Sequence, residues 1–363
     1  MTEFHDKQRH IQALLESSNL DALLLRRVSN FAWATCGAAS CVNTAVSEGL
    51  SQLLITKSRR FLITDNIEAA RLMREEKLDE QRWEIIAPQW DHTNDSLEPL
   101  IQGLTIGSDS PLPGSVDLSK VIARMRSNLT MSEVKRFRRL GRLCAQAMEA
   151  TLDAVRPRQS EYRIAAKLAH ETGKRGVQAI VNLVATDERI FSFRHPLPTD
   201  KKLERYAMLG LCGRKWGLVC SLTRFLHFGR IPEDLSHRAE AVAKVDAAFI
   251  ANTQPGQELG DIFKRGIEIY TESGYPAEWR LHHQGGLAGY EPREIVATPC
   301  SQEIVSAGQV YAWNPSITGT KSEDTILVTE NGYEILTHMS DWPSIPVEFD
   351  RQTFLRPAIL ERR

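Results

Sequence analysis

The residues with chemical potential fall in three short strings: HHQGGLAGYEPR at 282–293, WNPSI at 313–317 and SEDTILVTENGYEILT at 322–337. A His on a Gly-broken segment, a polar residue before Pro, and an acidic pair opening the apolar run Ile326-Leu327-Val328 read as polar groups converging from adjacent strands, with Asn331-Gly332 as a hairpin turn. Buried polar groups that converge must be satisfied by each other, by a metal or by a ligand, because burying one alone costs about 1–3 kcal/mol. Convergence of this kind builds a pocket.

The elements that must carry these groups follow from the spacing. A chain of 363 residues exceeds one ordinary core, so two domains are expected. Residues 1–130 alternate short apolar runs with helical patterns, as a mixed α/β domain does: a helix over His5–Ser18, a strand at Ala22–Leu25, a hairpin around Lys57–Arg60, and a helix over Val116–Met125. RSNLTMS at 126–132 marks the boundary, and residues 131–363 open with a long helix from Glu133 to Val155, capped by Ser132. A second helix over Ser160–Thr172, paired strands around Gly213–Lys215, helices over Leu235–Asn252 and Gly260–Ser273, and the strands of the opening strings complete an α+β domain.

Composition narrows the partners. A net charge of −1, with 42% hydrophobic and 25% charged residues, gives no electrostatic reason for nucleic acid or an acidic membrane, which leaves a small molecule as the expected partner. No apolar run reaches the ~18 residues a bilayer requires and the N-terminus is polar, so the cytoplasm is expected. The six cysteines are scattered without a CxxC spacing and read as free thiols.

These strings together resemble the pita-bread family of creatinase, prolidase and aminopeptidase P. HPLPTDKKLER is similar to the family's His loop, ERYAMLGLCGRKWGLVCSLTR to its paired strands, LHHQGGLAGYEPR to its His-Gly segment and EDTILVTENGYEILT to its closing strands, with PGQELGDIF between. The resemblance implies a creatinase-like N-terminal domain followed by a pita-bread catalytic domain, a homodimer whose N-terminal domain leans over the partner's pocket, and hydrolysis of a C–N bond in a small amide, amidine or dipeptide-like substrate.

The family's peptidases hold two divalent metals with two Asp, one His and two Glu. At those positions this chain has Gly210, Ser221, His283, Asn314 and Glu323. Two ions carry about four positive charges, which one carboxylate and an imidazole leave uncompensated, so no metal pair and no cofactor is expected. A single ion through His283 and Glu323 is the alternative. Creatinase works in this fold without metal, and His195 matches its acid/base His; Glu323 and His283 would then orient substrate or water. Thr223 and Asn314 replace the two creatinase Glu residues, which disfavours creatine itself, since a guanidinium wants paired carboxylates.

Several residues carry a substrate-binding expectation beside a plainer one. Tyr290 stands where the peptidases place a second substrate His, and is otherwise a strand tyrosine. Glu291 keeps a family position, or forms a rim salt bridge. Arg194 and Arg224 fork onto a substrate carboxylate, or are solvated charges. Trp33, with Asn30 and Phe31 in a loop, walls the pocket, or is core. His282, adjacent to His283, is expected to face away from the pocket as alternate strand residues do. Cys212 and Cys220 flank the lost Asp positions and read as small apolar residues before nucleophiles. Two further readings stand beside the hydrolase: a catalytically silent ligand-binding or interaction member, and an Xaa-Pro metallopeptidase with an atypical metal site.

Overall fold

The computed structural model describes residues 2–363, apart from the side chains of 93–95. Backbone contacts divide it into two compact units, one running to Ser132 and including Trp216–Leu218, the other comprising Glu133–Lys215 and Val219–Arg363. Among the described residues no helix is long and apolar enough to cross a membrane.

In the N-terminal unit a six-stranded sheet is built around Ala22–Arg27, which pairs antiparallel with Glu48–Thr56 and parallel with Ile106–Ser108. Leu23, Leu24 and Leu25 are wholly buried, which is why this strand reads as an unbroken apolar run rather than an alternating one. Two expectations fail here. Val116 does not start a helix: Val116–Asp117 joins the sheet edge, and the helix runs Ser119–Ser127 after the Asp117 carboxylate accepts from the Ser119 N–H at 2.9 Å. Asn30, Phe31 and Trp33 lie not in a loop but in the buried helix Val28–Ala34, where the Asn30 amide donates to Asp109 at 2.8 Å.

The chain crosses into the second unit along the helix Met131–Ala154, which holds Ser132 in its first turn instead of at the cap expected for it, and continues with Glu161–Gly173, capped by the Ser160 hydroxyl, which accepts from the Arg163 N–H. Strands Gln178–Thr186, Tyr206–Lys215, Leu218–Phe228 and Leu360–Arg362 form one sheet. Its central hairpin turns at Trp216-Gly217, both with positive φ (54° and 77°), rather than at Gly213–Lys215. That left-handed pair matches the twist of a tight hairpin, so the strands run several residues longer than expected.

A five-stranded sheet of Ile295–Val296, Gly285–Ala288, Val310–Trp313, Asp324–Thr329 and Gly332–Ile335 packs on the helices Glu233–Asn252 and Leu259–Glu272. Phe249 stacks on Trp313 at 4.4 Å between ring centres, at the middle of this core. The two sheets are joined by bonds from the Thr223 N–H to the Glu323 carbonyl (3.3 Å) and from the Ser221 N–H to the Thr325 hydroxyl (2.9 Å). The polar strings of the sequence meet along this junction.

Candidate active site

A cavity of about 430 Å³ opens at the junction, walled by Ile180, Val181, Leu183, Leu197 and Leu211 and floored by His195, His283, Arg293, Asn314, Lys321 and Glu323. A larger hollow of about 860 Å³ lies along strand Ser344–Phe349. It is an open groove in which Arg265 is already paired with Glu268 and Glu272, so the polar floor of the smaller cavity is the better candidate.

Local backbone chemistry brings the floor together. Gly285 has φ of +109°, and a Cβ there would lie 2.2 Å from the Ala312 carbonyl oxygen, so only glycine lets the His283 segment approach Trp313 and Asn314 this closely. The Asn314 N–H then donates to the Gln284 carbonyl at 2.9 Å. Glu323 and Asp324 are consecutive in extended chain and face opposite ways. Asp324 points into a buried network, receiving Arg224 at 2.7 Å, Arg356 at 2.8 Å and the Thr337 hydroxyl at 2.6 Å, while Glu323 points at the cavity.

Both oxygens of Glu323 are engaged. Its Oε2 accepts from the Thr223 hydroxyl at 2.5 Å and lies 2.8 Å from Lys321 Nζ; its Oε1 accepts from Arg293 Nη2 at 3.2 Å. Burial by itself would raise this carboxyl, but the Lys321 and Arg293 cations outweigh it and hold the group down at about 2. Neither cation was expected from the sequence. A signal existed for Lys321, which is two residues before Glu323 in extended chain and shares its side. For Arg293, the Pro292-Arg293 step after a strand offered none.

Three imidazoles complete the site. His195 Nε2 and His282 Nε2 are 2.9 Å apart, and the His282 ring stacks on His283 at 4.5 Å. His282 therefore does not face away: the regular strand begins only at Gly285, so alternation does not govern residues 282 and 283, and His282 is buried against His195. Burial and then Lys321 lower His282 to about 2, burial and then Arg293 lower His283 to about 4, and burial and then Lys321 lower His195 below its ordinary value. Each of these shifts favours the neutral ring.

Of the remaining expected residues, His195, His283, Asn314 and Glu323 line the cavity and five do not. The Tyr290 hydroxyl, buried, donates to Glu133 at 2.6 Å. Arg224 is buried in the Asp324 network rather than solvated or open to a ligand. Arg194 pairs with Glu278 at 2.5 Å and bonds the Thr318 hydroxyl at 3.0 Å, its charge already spent. Glu291 contributes its carbonyl to the Gly289 N–H. Trp33 is buried in the N-terminal unit, its carbonyl accepting from Lys7 at 2.8 Å. Cys212 reaches the cavity wall, but burial and then Glu323 push its thiol up to about 11, so it is an inert wall group.

The dinuclear metal site implied by the resemblance does not fit these residues. Gly210 and Ser221 offer no carboxylate, Asn314 is neutral, and both Glu323 oxygens are held by side-chain cations that would repel an ion. A single ion through His283 and Glu323 fails for the same reason. One ring nitrogen from each of His195, His282 and His283 lies within 4.8 Å of the others, but an ion there would break the His195–His282 bond and sit beside Lys321 and Arg293.

A model of metallopeptidase family M24 matches residues 135–330, more than half of the chain. Uncharacterized peptidases of Staphylococcus haemolyticus (28% identical over 234 residues, 61% of this chain and 66% of the relative) and Staphylococcus epidermidis (29% over 233 residues, 61% and 65%) are similar to it. The match thus spans just under two thirds of these relatives' own length. Among solved structures, the prolidase of Pyrococcus horikoshii superposes with a TM-score of 0.79 at 20% identity, covering 92% of this chain and 99% of that one. The Xaa-Pro dipeptidase of Bacillus anthracis gives 0.79 at 19%, covering 99% and 100%. The fold is the pita-bread fold of the prolidases, with its N-terminal domain, and the chain belongs to metallopeptidase family M24.

Proposed function

We propose that this chain is a metal-independent hydrolase of a C–N bond in a small amide, amidine or dipeptide-like substrate, with His195 as general acid/base. The observation that carries the reading is the Glu323 carboxylate held between Lys321 and Arg293: the chain's own cations stand where a divalent ion would need free oxygens.

Neutral His195 takes a proton from water as the water oxygen attacks the amide carbon. The carbonyl oxygen becomes negative, and the net positive floor of the cavity, Lys321 and Arg293 against Glu323, stabilises it. The proton on His195 then passes to the nitrogen, the C–N bond breaks, and acid and amine leave. His282, neutral and bonded to His195, is a positioning residue that fixes the orientation of the ring. General acid–base catalysis of this kind contributes about 100- to 10,000-fold. The six cysteines, all free, suit a reducing compartment such as the cytoplasm, and the homodimer expected from the resemblance is testable by light scattering.

The test is turnover of N-acyl amino acids, guanidino acids and Xaa-Pro dipeptides in the presence of EDTA, by wild type and His195→Ala. Turnover that survives EDTA and is lost in the variant supports the reading. Activity that appears only when about two divalent ions per chain are supplied would replace it with the metallopeptidase. A silent ligand-binding member draws support from the same Glu323, whose two oxygens are both held by cations and whose low pKa makes it a weak base; binding without turnover is its outcome.

A further inference from the structure

The cavity floor carries two cations and one carboxylate, and the imidazoles beside them are neutral. The Lys321, Arg293 and Glu323 side chains are only 8%, 9% and 6% exposed. Two charges against one leave a buried net charge of +1, a state that is expensive unless a ligand supplies the counter-charge. Lys321 has donor capacity to spare: its ammonium carries three N–H groups and, among the described residues, one ion-pair partner, Glu323. The Arg293 Nη atoms donate to Glu323, to the Pro292 carbonyl at 2.6 Å and to Ser221 at 3.4 Å, while its Nε has no partner among the described residues.

A second observation concerns Asn314. It is only 3% exposed, it lines the cavity, and its side-chain carbonyl oxygen has no hydrogen-bond partner among the described residues. A buried acceptor left in this state calls for an N–H from whatever fills the space. The walls, by contrast, are the aliphatic side chains of Ile180, Leu183, Leu197 and Leu211.

We propose that the cavity is built for an N-acyl amino acid with an apolar side chain: its carboxylate meets Lys321, its amide N–H meets the Asn314 carbonyl, and its side chain lies on the aliphatic wall. This rests on the preceding reading only in placing the substrate in this cavity. It separates the chain from peptidases of Xaa-Pro bonds, because the nitrogen of an Xaa-Pro bond is tertiary and has no N–H to offer Asn314. It also excludes guanidino cations, which the net positive floor repels.

Three probes of matched size isolate the two contacts: N-acetyl-L-leucine, its neutral amide N-acetyl-L-leucinamide, and N-acetyl-L-proline, which keeps the carboxylate but lacks the N–H. Their affinities are measured by calorimetry at constant ionic strength with EDTA present. The expected result is N-acetyl-L-leucine tighter than each of the others by about 10- to 100-fold. Lys321→Gln should erase the preference for acid over amide, and Asn314→Ala the preference for leucine over proline. Should Lys321→Gln fail to fold, the ranking of the three probes on wild type decides alone. Equal binding of acid and amide, equal binding of leucine and proline derivatives, or no binding of N-acetyl-L-leucine overturns the proposal. Tight binding of N-acetyl-L-leucine without hydrolysis leaves it standing and overturns the hydrolase instead.

Discussion

Lys321 Nζ lies 2.8 Å from one oxygen of Glu323, and Arg293 Nη2 lies 3.2 Å from the other. The ion pair is internal to the chain, so stability should be indifferent to chelators: exhaustive dialysis against EDTA is expected to leave the thermal midpoint unchanged, and added Mn²⁺ or Co²⁺ should not raise it. Lys321→Met leaves the buried carboxylate with Arg293 alone and should cost about 1–3 kcal/mol in urea unfolding at neutral pH. The acid dependence should shift as well. With its pKa at about 2 against an ordinary 4.5, Glu323 contributes stability that is present above pH 4.5 and lost as pH falls towards 2. Without Lys321 burial pushes this carboxyl up, so the loss should begin at a higher pH.

The His195 ring titrates below its ordinary 6.5 because it is partly buried and then because Lys321 is near. If it acts as a base, activity should stay full at pH 6.5 and above and fall only as pH drops through the depressed value. Imidazole resonances followed by NMR should show the same midpoint, and Lys321→Met should move it upward by removing a neighbouring positive charge. A His195 resonance that titrates at or above 6.5 in the wild type would contradict this assignment.

How far the sequence could be read depended on how local each cause was. The buried strand Ala22–Arg27 and the helices Glu161–Gly173 and Leu259–Glu272 follow from apolar period and a Ser cap, and the Asn-Gly step marks the existence of the hairpin after Val328, although it turns at Glu330-Asn331 and Gly332, expected in the turn, already pairs with Thr329. The convergence of His283, Asn314 and Glu323 was also legible, because each stands beside a Gly, Pro or acidic signal, whereas His195 joined them only through the resemblance. What was not legible is long-range: Arg293 reaches Glu323 across 30 residues and His282 reaches His195 across 87. Nor could periodicity reveal that the strand starts after His283, which is what turns His282 inward. Tyr290 and Arg224 looked like pocket residues for the converse reason, their partners Glu133 and Asp324 lying 157 and 100 positions away.

His282 makes a separate claim on stability. It is buried and neutral, and its pKa falls from 6.5 to about 2 through burial and then Lys321. The unfolded chain therefore binds a proton that the folded chain refuses, so stability is complete above pH 6.5 and declines as pH drops below it. The cost is on the order of 2 kcal/mol between pH 6.5 and 5. Urea midpoints measured across that interval should fall in the wild type and fall less steeply in His282→Asn. An identical slope in the two proteins would mean that His282 accepts its proton without unfolding pressure.

Behind Glu323, Arg356 bridges Asp246 and Asp324, each at 2.8 Å, and Arg224 holds the other oxygen of Asp324 at 2.7 Å. All four side chains are buried, so their charges are tolerated only as a set. Removing one member strands its partners. Burial already raises Asp246 despite Arg356, and in Arg356→Met both Asp246 and Asp324 lose a cation, which should cost about 3–5 kcal/mol by chemical denaturation. Because Asp324 anchors the residue next to Glu323, the same substitution should weaken ligand binding in the cavity even in solutions where the variant is folded. Adding Asp246→Leu to Arg356→Met removes one stranded carboxylate and should return part of the lost stability, whereas two independent losses would simply add. Additive costs in that double-mutant cycle would show that Asp246 and Arg356 are not the coupled pair their geometry makes them.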